Sequence, residues 1–213
     1  MFAATVGIDA DPDMIAHAAQ RAARAHSVSW RQLRAEDLPA DLGSFRVVTF
    51  AQSFHWMDQH RVARAVRPMI TPGGAWVHVG ATTHQGVPGD VPLPHPRPPH
   101  DEIQVLIGGY LGPVRRAGRG LLPAGTPAGE DQVMLATGYH RPVRLSVKGG
   151  QLHERTEDQV VASVFSLSSA APHLFGHRLP QFEQDLRALL RRTSPQRRFA
   201  EQTRDIALTV WRP

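Results

Sequence analysis

The sequence has no cysteine, no asparagine and a single lysine, Lys148. Without cysteine there is neither a disulfide nor a thiolate metal site, which fits a reducing, cytoplasmic setting. Long apolar runs are missing too. No stretch of about 18 apolar residues occurs, so no helical membrane span is expected. The first residues, Met1-Phe2-Ala3-Ala4-Thr5-Val6, lack the basic start and long apolar stretch of an export signal. Clustered positive charge is also absent. Lysine plus arginine exceed aspartate plus glutamate by 24 to 19, yet the arginines are scattered, with short pairs at Arg115-Arg116, Arg191-Arg192 and Arg197-Arg198. A nucleic-acid substrate calls for a patch or stripe, so none is expected. Arginine in place of lysine reads instead as the usage of a high-GC bacterial genome. Neither a Gly-x-Ser-x-Gly elbow nor a P-loop is found.

What is present is the composition of one soluble domain: 213 residues, 41% hydrophobic and 20% charged. The first 80 residues alternate strand and helix signals. Residues 6–8 form a short apolar run ending at Asp9. Asp11-Pro12 then supplies an N-cap and a proline at the first helical position, and apolar residues recur at helical spacing from Ile15 to about His26. Residues 28–33 alternate as a half-buried strand does, and an acidic turn at residues 36–38 closes on Pro39. The near-continuous apolar run at residues 45–50 predicts a strand buried on both faces. Asp58 is placed to cap a helix with Val62, Val66 and Ile70 on one side, stopped by Pro72-Gly73-Gly74. Another strand is expected at residues 75–79. Such alternation implies a parallel sheet with right-handed crossovers.

Beyond residue 83 the pattern changes. A proline-rich connection at residues 84–99 precedes a helix over 101–110 and a Gly/Pro/Arg loop to about Gly129. Further helices are expected at 130–136, 157–168 and 179–192, with strands at 143–147 and 206–211. Three histidines of the connection, His84, His95 and His100, match no zinc spacing, and no metal site is expected. The segment from about His84 to Gly129 is read as a lid over the substrate. Trp211 reads as a core or rim aromatic.

Ligands of a doubly wound sheet sit at the carboxyl ends of its strands, and three such ends carry suggestive residues. The first is Val6-Gly7-Ile8-Asp9-Ala10-Asp11-Pro12-Asp13-Met14, where Asp9 either accepts both hydroxyls of a ribose or merely tightens the turn. The second is Arg34-Ala35-Glu36-Asp37-Leu38-Pro39. The third is Val47-Val48-Thr49-Phe50-Ala51-Gln52-Ser53-Phe54-His55-Trp56-Met57-Asp58. With Pro72-Gly73-Gly74, these segments resemble class I, Rossmann-like S-adenosylmethionine-dependent methyltransferases, especially the bacterial small-molecule group with an FHWxD segment after the fourth strand.

The resemblance implies an α/β fold, a Rossmann-like doubly wound and mostly parallel sheet, N-terminally truncated and carrying helical and loop lid insertions. Residues 1–213 are then one domain: 1–82 the cofactor-binding part, 83–140 the connection and lid, 141–213 the C-terminal strands and helices. It implies S-adenosyl-L-methionine as cofactor and a small molecule as methyl acceptor. Asp9 matches the ribose ligand, Ala10 and Met14 the positions against adenine, and Ala35 and Glu36 the loop whose backbone meets the adenine edge. Ala51 and Gln52 match the strand end beside the methionine portion. Phe54, His55 and Trp56 would border the substrate pocket, with His55 the candidate base, or else a side chain packed on Trp56. Arg34 departs from the family, where an aspartate often meets the adenine amino group. The family's first strand and Gly-x-Gly-x-Gly-like loop have no counterpart, and Gly118-Arg119-Gly120 does not imitate them. In the family layout that strand lies between those ending at Asp9 and Ala51, so two strand edges should lack partners unless they pair directly. A start recorded downstream of the real one is favoured over a degenerate fragment. Two other functions stay open: a catalytically inactive methyltransferase-like fragment, and an NAD-dependent oxidoreductase, in which the same acidic position would bind a ribose.

Overall fold

A computed structural model describes residues 2–21, 27–89, 91–112, 116–117, 120–121 and 129–213. Its elements, in chain order, are β1 (Thr5–Asp9), α1 (Pro12–Arg21), β2 (Val28–Gln32), β3 (Phe45–Ala51), α2 (Gln59–Val66) and β4 (Ile70–Gly80). Then follow α3 (His100–Leu111), β5 (Arg116–Ala117), β6 (Gly120–Leu121), α4 (Glu130–Ala136), β7 (His140–Val147) and β8 (Leu152–Thr156). The chain closes with α5 (Glu157–Phe165), α6 (Leu179–Thr193), β9 (Arg198–Gln202) and β10 (Ile206–Arg212). Single 3-10 turns occupy Ala35–Asp37, Phe54–Trp56 and Arg67–Met69. No described helix is long and apolar enough to cross a membrane.

The helix starts follow from capping chemistry. Asp11 Oδ1 accepts the Asp13 N–H at 2.8 Å ahead of α1, and Asp58 Oδ1 accepts the Arg61 N–H at 3.0 Å ahead of α2. Thr156 and Gln159 form a capping box on α5. The end of the first helix signal, residues 22–26, and Gly118-Arg119 lie outside the described residues.

The α/β alternation expected from the sequence is the one observed. β1 pairs with β2, and β3 with β4, both in parallel. These pairs belong to separate sheets, β1-β2 and β3-β4-β10-β7, and no strand pairing joins the two among the described residues. The two strand edges anticipated as partnerless therefore do not pair directly. β5-β6 and β8-β9 are antiparallel.

Four details differ from the sequence reading. Helix α2 ends at Val66, because Arg67-Pro68-Met69 tightens into a 3-10 turn and β4 already begins at Ile70. Pro72-Gly73-Gly74 instead forms an irregularity inside β4: the register with β3 shifts between Phe45↔Ile70 and Val47↔Ala75, and Gly73 takes a φ of 76°. Strand β3 is covered on one face only. Phe50 is its one buried residue, while Thr49 and Ala51 are exposed. The β8-β9 pair was not anticipated, since its charged residues hide the alternation.

The chain divides into two compact units, Met1–Val79 with Pro127–Leu145 and Leu208–Pro213, and Gly80–Thr126 with Ser146–Ala207. The core of the first is aromatic. Phe50 stacks on Trp76 with centroids 4.0 Å apart, and Tyr139, Phe54 and Trp211 are at most 2% exposed. Val62 and Val66 of α2 complete it. The core of the second gathers Ile103 and Ile107 of α3, Val160 and Val164 of α5, and Phe182 and Leu186 of α6. Burying a large aliphatic or aromatic side chain contributes roughly 1.5–3 kcal/mol, so these clusters carry most of each unit's stability.

Candidate functional site

All residues marked out by the sequence for cofactor and substrate lie in the first unit, at the carboxyl ends of its parallel strands. Asp9 ends β1 with its side chain exposed. Its Oδ1 accepts the Asp11 N–H at 2.9 Å, so it does tighten the turn into α1. Ala10 follows, exposed, and its carbonyl faces the Gln32 side-chain amide at 3.5 Å. One helical turn on, Met14 is 56% exposed although apolar. A carboxylate at a strand end beside an exposed, polarizable thioether is an amphipathic surface. Carboxylates accept hydrogen bonds from diols, and thioethers pack on flat ring faces. Nearby, Gly7 permits a close approach, since a Cβ there would lie 2.2 Å from the Trp30 ring of the adjacent strand.

The loop after β2 is held differently. Ala35 is 6% exposed and belongs to the core. Glu36 accepts the Asp58 N–H on Oε1 at 3.1 Å and faces Arg34 Nε across 3.5 Å. This bond ties the loop at Ala35–Asp37 to the cap of α2, and so to the turn Phe54–Trp56. Arg34, the departure from the family, points largely into solvent.

At the end of β3, the Gln52 N–H donates to the Val79 carbonyl at 3.2 Å, and the residue takes a φ of 52°. A non-glycine residue there is uncommon and turns the chain sharply away from the strand. Phe54 has its ring in the core, 2% exposed, edge-on to Phe50 and Trp76. It anchors the turn rather than lining a surface. His55 and Trp56 are half-buried with ring centroids 4.6 Å apart. Thus the structure brings 35–37 and 54–58 together. Asp9, Ala10 and Met14 stay with the two-stranded sheet, Ala51 and Gln52 with the four-stranded one.

A titratable group missed by the sequence reading lies beneath this turn. His78 of β4 stacks on Phe54 at 5.0 Å and meets Phe50 and Trp76 edge-on. Its Nδ1 is 3.8 Å from Glu130 Oε2, and its Nε2 is buried with no described hydrogen-bond partner. Burial lowers its pKa to about 4 despite the opposing Asp131, so the ring is neutral near pH 7. Alternation along β4 puts His78 on the Trp76 face, the one signal that could have found it.

The histidines of the connection take carboxylate neighbours in the second unit. His100 Nε2 lies 2.6 Å from Glu201 Oε1, and His95 Nε2 lies 3.8 Å from Glu154. Among the described residues no group of three or more His, Asp or Glu side chains could hold a metal ion.

Comparison with known proteins adds one firm point. Residues 1–74 match the profile of a family described as "Methyltransferase domain", and every candidate residue falls inside that stretch. No curated protein matches the chain. Among solved structures, YcgJ of Bacillus subtilis is 16% identical over 99% of this chain and 82% of its own, with a TM-score of 0.46. A putative type II methyltransferase from Anaeromyxobacter dehalogenans gives 16%, 98% of this chain, 78% of its own and 0.46. The N-methyltransferase NodS from Bradyrhizobium japonicum, solved with S-adenosyl-L-homocysteine, gives 13%, 98%, 66% and 0.44. Likenesses this loose carry no inference about activity or substrate.

Proposed function

We propose that this chain, whose residues 1–74 carry the sequence of a methyltransferase domain, transfers a methyl group from S-adenosylmethionine to a small molecule. That match carries the reading, because it spans Asp9, the loop at Ala35–Asp37 and the turn Phe54–Trp56 together. When bound, S-adenosylmethionine supplies an electrophilic methyl on sulfur. The protein's own work is to position the partners and keep water away. Asp9 accepts the ribose hydroxyls, Met14 and Ala10 pack on the adenine, and the backbone at Ala35 and Glu36 meets its edge. Ala51 and Gln52 border the methionine portion. His55, held against Trp56 on a turn anchored by Phe54, takes the proton of an acceptor that must lose one. A cytoplasmic, bacterial setting belongs to the same reading, supported by the lack of cysteine and the arginine-rich usage.

Calorimetric titration with S-adenosylhomocysteine tests it. Micromolar binding, about −8 kcal/mol, is expected, with a loss of at least tenfold in Asp9→Ala. Asp9→Asn retains an acceptor for the Asp11 N–H, and so separates loss of the ribose ligand from loss of the turn. A folded chain that gives no heat favours the second reading, a methyltransferase-like protein without cofactor binding. The separation of β1-β2 from β3-β4 is the observation on that side.

A further inference from the structure

In the second unit, the two ends of the proline-rich connection meet on one buried side chain. Glu201 of β9 is 3% exposed, and its Oε1 accepts from the Gly86 N–H at 2.7 Å while facing His100 Nε2 at 2.6 Å. Backbone bonds continue the attachment on both sides. The Val87 N–H donates to the Gln202 carbonyl at 2.8 Å, and the Ala200 N–H donates to the Pro96 carbonyl at 3.1 Å. Arg204 Nε reaches the Gly86 carbonyl at 2.8 Å, and Arg155 reaches the Thr83 carbonyl at 3.1 Å. The fit is tight at Gly86, where a Cβ would come within 2.6 Å of Glu201 Cβ and 2.7 Å of the Gln202 carbonyl oxygen.

One group in this clasp is out of keeping with the rest. His84, at the start of the connection, lines a narrow cavity with His100 and Arg155. The charged and titratable groups that act on it are His100 from α3 and Arg155 from β8, which line the same cavity, and Glu201 from β9 and Arg204 beyond β9, which both bond Gly86 two residues on. His84 thus shares its cavity with a guanidinium and a second imidazole, while Glu201 engages Gly86 and His100 through Oε1 and faces Arg155 across 3.8 Å through Oε2.

We infer that Glu201 is a latch holding residues 86–87 and 96–100 on β9, and that protonation of His84 releases it, baring the β9 edge and the cavity beside it. Burial, then His100 and Arg204, lower the His84 pKa below its ordinary 6.5, so the closed form resists taking a proton that the open form accepts. Closure is therefore complete above that value and weakens as pH falls through it.

Hydrogen exchange at the Gly86, Val87 and Ala200 amides reads the latch directly. The Thr203 amide, bonded to the Gln151 carbonyl at 2.9 Å, serves as the control for effects of pH on the whole unit. Corrected for intrinsic rates, protection at the three amides should fall by up to about tenfold per pH unit below ~6.5, with Thr203 unchanged. His84→Gln should stay protected across the same range. Gly86→Ala, which alters no charge, should exchange faster at every pH. Protection independent of pH in the wild type overturns the proposal. So does a His84→Gln curve that tracks the wild type, which would place the dependence on His100 or elsewhere. Should Gly86→Ala fail to fold, the wild type and His84→Gln still decide.

Discussion

Phe54, His55 and Trp56 are consecutive in sequence and have different surroundings. A 3-10 turn points the first ring into the aromatic core and leaves the other two half-buried. Phe54→Ala should therefore cost about 3–5 kcal/mol in a urea titration, as a large-to-small change in a packed core does. His55→Ala should cost clearly less stability than Phe54→Ala, since its ring is only half-buried against Trp56, and lower methyl transfer only for an acceptor that must lose a proton. The same contrast separates His78 from His55. His78 must stay uncharged in the folded protein, with its pKa lowered to about 4 by burial. Its contribution is fully present above pH 6.5 and is lost as pH falls toward that lower value, by as much as about 3 kcal/mol. Urea titrations across this range should show the loss in the wild type and a smaller one in His78→Phe. That residues 51–57 lead from a strand to a capped helix was legible in the sequence. Which of their side chains is core was not, because one turn of helix sends neighbouring residues in different directions.

At the scale of the element, the starts of α1, α2 and α5 come from local chemistry and were mostly readable. Asp58 shows how a local device becomes a tertiary one: its side chain caps α2 while its N–H donates to Glu36. Asp58→Ala should cost about 1 kcal/mol through the cap alone, whereas Glu36→Gln, which retains an acceptor, should cost less. Glu157, in the first turn of α5, is of the opposite kind. It is 5% exposed and bonded to Arg187 and Arg191 of α6. Those guanidinium groups, Arg191 first, hold its carboxyl below the usual range against the effect of burial. Its contribution is present above the ordinary value of 4.5 and lost as pH falls below it. Glu157→Ala should cost about 1.5–3 kcal/mol, since it removes charge-assisted hydrogen bonds while Arg187 keeps Asp158 and Glu183, and this should appear as a lower urea midpoint near neutral pH. The β8-β9 pair escaped the sequence reading for a related reason. Its inward residues include Glu201, and a carboxylate reads as solvent-facing until its partners are known.

For the whole molecule, the parallel β-α-β order and the position of the candidate residues at strand ends followed from periodicity and punctuation. The division into two compact units, each with its own aromatic-rich core, did not follow from them. The separation of β1-β2 from β3-β4-β10-β7 was one of two outcomes that the missing strand allowed, and the structure decided between them. Both depend on which strands find partners across long stretches of chain, and hydrogen bonding between strands leaves no mark on composition or period.

By itself, then, the sequence determined the alternation of strands and helices, the caps that begin the helices, and the acidic and aromatic residues at the strand ends. Each of these is settled by neighbours a few residues away. Only the tertiary structure decided that Phe54 is core, that His78 is neutral beneath it, that Glu36 joins two loops, and that Glu201 gathers the proline-rich connection onto β9. Burial and long-range hydrogen bonding set the character of those groups, and both are properties of the packed chain.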